Sequence, residues 1–371
     1  MLTSVSEHDG DLQRAIDSIR TLGGTVILDQ DVPVRKLIQL RSGVRIAGYG
    51  HRVIAESPFD GNMVAIGSGD SDLAIDGTRF VNKTDDALSG LFFNANCARV
   101  DIDKCKFKGF ARGAGVSGIA IDAVDIDDLT VGGGTFFRCD GGVRVRGVMR
   151  GIAIDRNGFL FSGRECVMVN PTVDATGIRI ADNVARNMVN DDAAFYLTCG
   201  GKCIADHVLI TGNRAEGKYE PFAAGGNADL ITAKNVRDFV VAGNIARGGG
   251  DCGLSIVDGR RGSVAGNVAA ANTTVGLCLW TCRDVAMTGN TCMNNKQGTW
   301  EPDGGLSQGG KYGGIRLERD TIHCVVSGNR CGDDQDEPTQ DYGIVQYMGA
   351  HANTIGDNDV RGNRIAGYYP D

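Results

Sequence analysis

Proline is scarce in this chain, at 7 of 371 residues, and aromatic residues make up only 6%. So few rings exclude a core built mainly on them and point to a narrow column of Val, Ile, Leu and Ala. No apolar run approaches the roughly 20 residues that a membrane-spanning helix needs, so no membrane partner is expected. Positive charge is also in deficit: 38 Lys and Arg stand against 46 Asp and Glu, a net charge of −8. That balance excludes the dense cationic stripe of a nucleic-acid or anionic-membrane surface. Histidine is rare, with five residues, and the Cys199–Cys203 and Cys278–Cys282 intervals have no paired His after them. The twelve cysteines are therefore expected as buried reduced thiols rather than metal ligands. The opening MLTSVSEHDGDLQ has neither a basic nor an apolar leader region. The expectation is a cytoplasmic or phage-particle protein, or a secreted one whose leader has been removed.

What the chain has in abundance is glycine, 55 residues without a collagen-like period, and an asparagine that returns in one local frame. The segments IADN, ITGN, VAGN, VAGN, MTGN, VSGN and IGDN place Asn183, Asn213, Asn244, Asn267, Asn290, Asn329 and Asn358 in register. Their steps are 30, 31, 23, 23, 39 and 29 residues, so the shortest sets a unit and the longer ones add loops. A period in the low twenties with β-branched residues before each turn marks a solenoid of short strands. Stacked Asn amides would bond along its axis and satisfy buried turn backbone.

Residues 11–22 carry Leu12, Ala15, Ile16, Ile19 and Leu22 on one helical face, with Asp9 or Asp11 as N-cap and Gly23-Gly24 as the stop. This predicts a helical cap over about 9–24, closing the open end of the coils that fill 25–365 in a single domain. Lead strands are read at GVRVRG (142), AFYLTC (194), LITAKN (230), GLSIVD (253), GLCLWT (276), GIRLER (314) and GIVQYM (343). Long insertions over about 214–229, 291–313 and 330–342 leave at one corner. Loops stacked on one side would wall a groove whose floor is the lead strands.

The helix followed by GGTVIL, then SGVRIAGYG and repeated GIxL…VSGN coils, resembles the pectate-lyase-like right-handed parallel β-helix superfamily over about residues 11–365. The fold expected is all-β, a single-stranded right-handed parallel β-helix with an N-terminal capping α-helix. The resemblance implies polysaccharide lyases, polygalacturonase-type hydrolases, uronate epimerases, tailspike depolymerases or members without catalysis. Tailspike members imply a homotrimer. Carried over by residue, Asn190-Asp191-Asp192 matches the aspartate pair of the polygalacturonase type. Gly249-Gly250-Asp251-Cys252-Gly253 is similar to its Gly-rich turn, with Asp-Cys where that family has His. Gly314-Ile315-Arg316-Leu317-Glu318 is similar to its basic strand, with Glu in place of Lys.

Independently of the resemblance, the lead-strand entrances form a column of Asp140, Glu165, Asp191, Asp192, Asp229, Asp251, Lys311, Tyr312, Arg316, Glu318, Asp341 and Tyr342. Coils about 4.8 Å apart would set carboxylates roughly 5 or 10 Å from one another, spacings that bracket those of retaining and inverting glycosidases. Asp191, Asp192, Asp229 and Asp251 are the residues expected to cleave a neutral or weakly charged glycan by paired acid and base. Lys311, Tyr312 and Arg316 suit the alternative, a lyase or epimerase that takes a proton beside a uronate, with Ca²⁺ bridging if needed. The hydrolase needs no cofactor. Glu165, Tyr219, Trp300, Glu318, Tyr342 and Tyr347 are expected to hold the saccharide, the rings by stacking. Trp280 is expected to pack on its own coil, and Asp333, Asp334, Asp336 and Glu337 to form a solvated acidic turn.

Overall fold

The computed structural model describes residues 1–57, 59, 61–84, 87–110, 118–186, 188, 193–217, 229–298 and 311–370. It divides into two compact units, Met1–Arg179 and Ile180–Asp371. Both are built from strands in parallel ladders, short as the turn spacing predicts except for Ile119–Gly132 and Gly141–Asp155 in the first unit.

The first unit opens with a strand the sequence reading did not anticipate. Leu2–Ser4 pairs in parallel with Gly24–Ile27, and the helix α1 (Leu12–Ile19) lies between them in sequence. Asp11 caps the helix by accepting the Arg14 N–H at 3.1 Å, and Leu12, Ala15, Ile16 and Ile19 are buried against Leu2–Ser4, Gly24–Ile27 and Ile38–Leu40. The helix is shorter than the expected cap. Gly23 adopts φ 70° and its N–H returns to the Ile19 carbonyl at 2.9 Å, which ends the helix by a left-handed turn. Leu22 therefore falls beyond the apolar face and is 77% exposed.

Inside this unit the few aromatics are concentrated rather than dispersed. Phe80, Phe107, Phe136 and Phe159, one from each of four coils, stack with centroids 5.1, 5.0 and 4.6 Å apart. Each pair supplies about 0.5–1.5 kcal/mol beyond its burial. The aliphatic core expected from composition is interrupted here by a column of rings.

In the second unit each coil before the one led by Tyr342–Tyr347 contributes three strands. The lead strands Phe195–Thr198, Ile231–Lys234, Leu254–Val257, Leu277–Trp280, Gly313–Glu318 and Tyr342–Tyr347 stack with Phe195, Ile231, Leu254, Leu277, Ile315 and Ile344 in one inward register. A second strand leads to the ladder Asn. A third, short strand follows it, as in Arg214–Glu216, Thr291–Met293 and Arg330–Gly332. The insertions thus begin several residues later than 214, 291 and 330, because the first residues after each Asn continue the sheet.

The asparagine ladder is as expected. The backbone N–H and Nδ2 of each Asn donate to Oδ1 of the next, from Asn183 through Asn213, Asn244, Asn267, Asn290 and Asn329 to Asn358, with Nδ2 contacts of 2.9–3.0 Å. From Asn213 onward, Nδ2 also donates to a carbonyl: Ile180, Ile210, Val241, Val264, Met287 and Val326. A second ladder was not foreseen. Asn272, Asn295, Gln340 and Asn363 bond in sequence at 3.0, 3.0 and 2.8 Å, hidden by one Gln rung and a 45-residue step.

Ten cysteines are free and buried, while Cys199 and Cys203 are joined in a disulfide, which corrects the expectation of thiols throughout. Asp333 also departs from the solvated turn. It is 5% exposed and accepts the N–H groups of Thr339 and Gln340, both at 2.8 Å, so it organises the loop from inside. Trp280 lies under the guanidinium of Arg319, from the next coil, at 4.5 Å.

Candidate active site

The entrances of the lead strands in the second unit bring two expected carboxylates together. Asp229 precedes Ile231–Lys234 and Asp251 precedes Leu254–Val257, and the parallel register Ile231↔Leu254 sets Asp229 level with Cys252. The Cys252 N–H donates to Asp229 Oδ1 at 3.0 Å. The Thr274 hydroxyl, from the next coil, donates to Asp251 Oδ1. Ligand-type atoms of Asp229, Asp251 and Cys252 all lie within 4.8 Å of one another.

Burial, and then the charge of Asp251, push the Asp229 carboxyl from 3.8 to about 7. The Cys252 N–H and thiol and the Ser255 hydroxyl act in the other direction without cancelling that rise. One of two neighbouring carboxyls is therefore held protonated near neutrality, the arrangement that separates an acid from a base. The Cys252 thiol is raised well above its ordinary value, first by its hydrogen bond with Cys278, then by burial and by Asp251 and Asp229. A divalent ion held by this trio would need the Cys252 thiolate and the Asp229 carboxylate among its ligands, and those are forms that the surroundings disfavour.

Around Cys252 and Cys278 a buried apolar cluster adjoins a buried ion pair. Cys252, Val275, Cys278 and Tyr312 form one packed cluster. Cys278 stands in register with Ser255 on one side and Arg316 on the other. Arg316 Nε lies 2.9 Å from Glu318 Oε2, with side-chain exposures of 13% and 7%. Those two atoms form an ion pair by distance but are not aligned as a hydrogen bond. Burial opposes the guanidinium's charge, yet Cys278, Cys252, Glu318 and Asp251 outweigh it and raise its pKa.

The other expected site residues are placed as follows. Asp191, Asp192, Tyr219 and Trp300 lie outside the described residues. Glu165 belongs to the first unit and is half-buried; its carbonyl accepts the Gly142 N–H at 3.3 Å. Lys311 does not join Tyr312 and Arg316 around Cys278: its Nζ lies over the Tyr369 ring at 4.8 Å. Tyr342 is buried against Tyr369, with centroids 5.1 Å apart. Tyr347 is half-buried and in register with Glu318. Asp341 is closed by Lys296 at 2.7 Å and by Arg364 Nε at 2.7 Å.

Cys252, Thr274, Ser255 and Cys278 were missed as members of the site. The alignment of lead strands puts Ser255, Cys278 and Arg316 in one column, which marks a shared face without saying that it is polar, and Cys252 and Thr274 lie off that column.

A family model described as "Right handed beta helix region" matches residues 141–310. No curated protein matches the sequence significantly. Among solved structures, the chain is similar to the A-module of the Azotobacter vinelandii mannuronan C-5 epimerase AlgE4, at 17% identity and TM-score 0.56, over 100% of this chain and 97% of that one. It is similar to tailspike protein 3 of bacteriophage CBA120, at 15% identity and TM-score 0.62, over 96% of this chain and 61% of that one. It is also similar to PfbA, a surface adhesin of Streptococcus pneumoniae, at 14% identity and TM-score 0.56, over 96% and 90% of the two chains. These likenesses establish a shared fold.

Proposed function

We propose that this chain, which has the right-handed parallel β-helix fold, hydrolyses a neutral glycan at Asp229 and Asp251. The observation that carries this reading is the carboxyl pair on adjacent coils, with oxygens within 4.8 Å and Asp229 raised to about 7. That closeness fits the roughly 5–5.5 Å of retaining glycosidases better than the roughly 6.5–9.5 Å of inverting ones. In the first step Asp251 attacks the anomeric carbon while Asp229 gives its proton to the departing glycosidic oxygen. Asp229, now a carboxylate, takes a proton from water as that water displaces Asp251, and the starting protonation returns.

Charge decides the substrate class. The guanidinium of Arg316 is already matched by Glu318, and Lys311 is turned to Tyr369. Arg316 lies within electrostatic reach of Asp251, but with Glu318 already matching it little positive charge is left over for a polyuronate carboxylate. The same balance speaks against a lyase or epimerase built on Lys311, Tyr312 and Arg316. Fold-sharing with an epimerase, a tailspike and an adhesin is consistent with saccharide handling, while the reaction rests on the carboxyl pair.

The test is reducing-end release from a panel of neutral and uronate polysaccharides by wild type, Asp229→Asn and Asp251→Asn. The expected result is cleavage of a neutral glycan, falling as pH rises through about 7 and reduced about 10²–10⁴-fold without Asp229. Unsaturated products, or full activity in either variant, would overturn the mechanism. Tight saccharide binding with no cleavage by wild type would leave a gripping surface instead.

A further inference from the structure

In the first unit, well away in sequence from the carboxyl pair, a column of like charges borders a cleft, as Arg237, Arg260 and Arg283 form one without a described cleft in the second unit. Charges on neighbouring coils are usually matched: Arg99 meets Asp72 at 2.6 Å, Arg144 meets Asp122 at 2.7 Å, and Arg261 meets Asp238 at 2.7 Å. Arg52, Arg79 and Lys106 instead occupy one register position on three successive coils, about 4.8 Å per step. Arg52 is paired with Asp31 at 2.8 Å. Arg79 and Lys106 are exposed and have no carboxylate partner among the described residues. Like charges directly opposite each other in a sheet are destabilising, so the column lowers stability unless an anion sits on it.

The same two residues line a cleft of about 340 Å³ together with Tyr49, Gly50, Asp76 and Lys104. Its acid is already engaged, Asp76 by Arg45 at 3.3 Å, and Lys104 is held by Asp103 at 2.7 Å. Tyr49 is 76% exposed with φ 45°, a conformation that bulky residues seldom take. Gly50, at φ 86°, completes the turn, and the Arg79 guanidinium lies 3.6 Å from where a Cβ on Gly50 would stand. An exposed ring beside two unmatched cations offers an apolar face and a charge-assisted anchor at once.

We propose that this cleft binds an acidic saccharide, its sugar ring packed on Tyr49 and its carboxylate or sulfate held between Arg79 and Lys106. It is a second saccharide site, distinct in residues and in ligand charge from the pair at Asp229 and Asp251.

Calorimetric titration of the full chain with tetragalacturonate, a heparin-derived tetrasaccharide, maltotetraose and inorganic phosphate tests it. The acidic tetrasaccharides should bind and weaken with salt, and maltotetraose should not occupy the cleft. Arg79→Gln with Lys106→Gln should lose about tenfold or more in affinity while keeping or raising the thermal midpoint, because repulsion is removed. Tyr49→Ala should weaken the saccharides several-fold and leave phosphate unchanged. Asp229→Asn should bind as wild type does, which separates this site from the hydrolytic one. Three results would overturn the proposal: no binding of either acidic tetrasaccharide at low salt, affinity unchanged in the double variant, or saccharide binding indifferent to Tyr49, which would mark a site for small anions only.

Discussion

Replacing Asp229 by Asn removes a carboxyl that burial first, and Asp251 second, push from 3.8 to about 7. The unfolded chain gives up that proton near pH 4, the folded chain only near 7. Its contribution to stability is therefore fully present below about pH 4 and is lost as pH rises through about 7, at roughly 1.4 kcal/mol per unit in between. From pH 5 to pH 8 the loss integrates to roughly 2–3 kcal/mol. That figure is a ceiling, because Asp229 retains some surface and the proton belongs to the pair rather than to one residue. Urea unfolding of wild type and Asp229→Asn at pH 5, 6, 7 and 8 reads it directly. The wild-type stability minus that of the variant should fall with pH and level off above about 7. A difference that stays flat, or grows with pH, would refute the raised carboxyl and the acid role built on it.

The ladder predicts a position-dependent cost. Asn267→Ala strands the N–H and Nδ2 of Asn244 in the interior, at about 1–3 kcal/mol for each buried group, whereas Asn358→Ala strands groups of Asn329 near the end and should cost less; thermal midpoints of the two variants compare them. Arg316→Met leaves Glu318 buried without its partner and should destabilise by about 3–5 kcal/mol, with Arg316→Met/Glu318→Gln recovering much of that loss in denaturant midpoint.

How much could be read from the sequence depends on whether a feature repeats. The Asn ladder declared itself because seven residues share one local motif, and the lead strands followed from it. The helix was legible by its apolar spacing, but its end was set by the conformation of Gly23, which left Leu22 outside. The ladder through Asn272, Asn295 and Gln340 escaped because its rungs differ in kind and its steps in length. At the site, the carboxyls of Asp229 and Asp251 were visible as charges at strand entrances. Cys252 and Cys278 were not, since a small buried thiol reads the same whether it faces the core or a polar layer. The divergence of Lys311 from Arg316 was equally hidden, because proximity along one strand says nothing about which way a long side chain turns.

Successive rungs of the asparagine ladder are separated by as few as 23 and as many as 39 residues, yet the Nδ2 to Oδ1 contact stays between 2.9 and 3.0 Å. Distance along the chain and distance in space are thereby uncoupled at that corner. Lengthening a connection from 23 to 39 residues costs only about 0.5 kcal/mol of closure entropy, a fraction of what a single rung contributes. Such a spine lets the segments between rungs be lengthened, shortened or exchanged without re-registering the strands beneath them. The fold can accept a new specificity by editing connections while the amide column keeps every coil where it was.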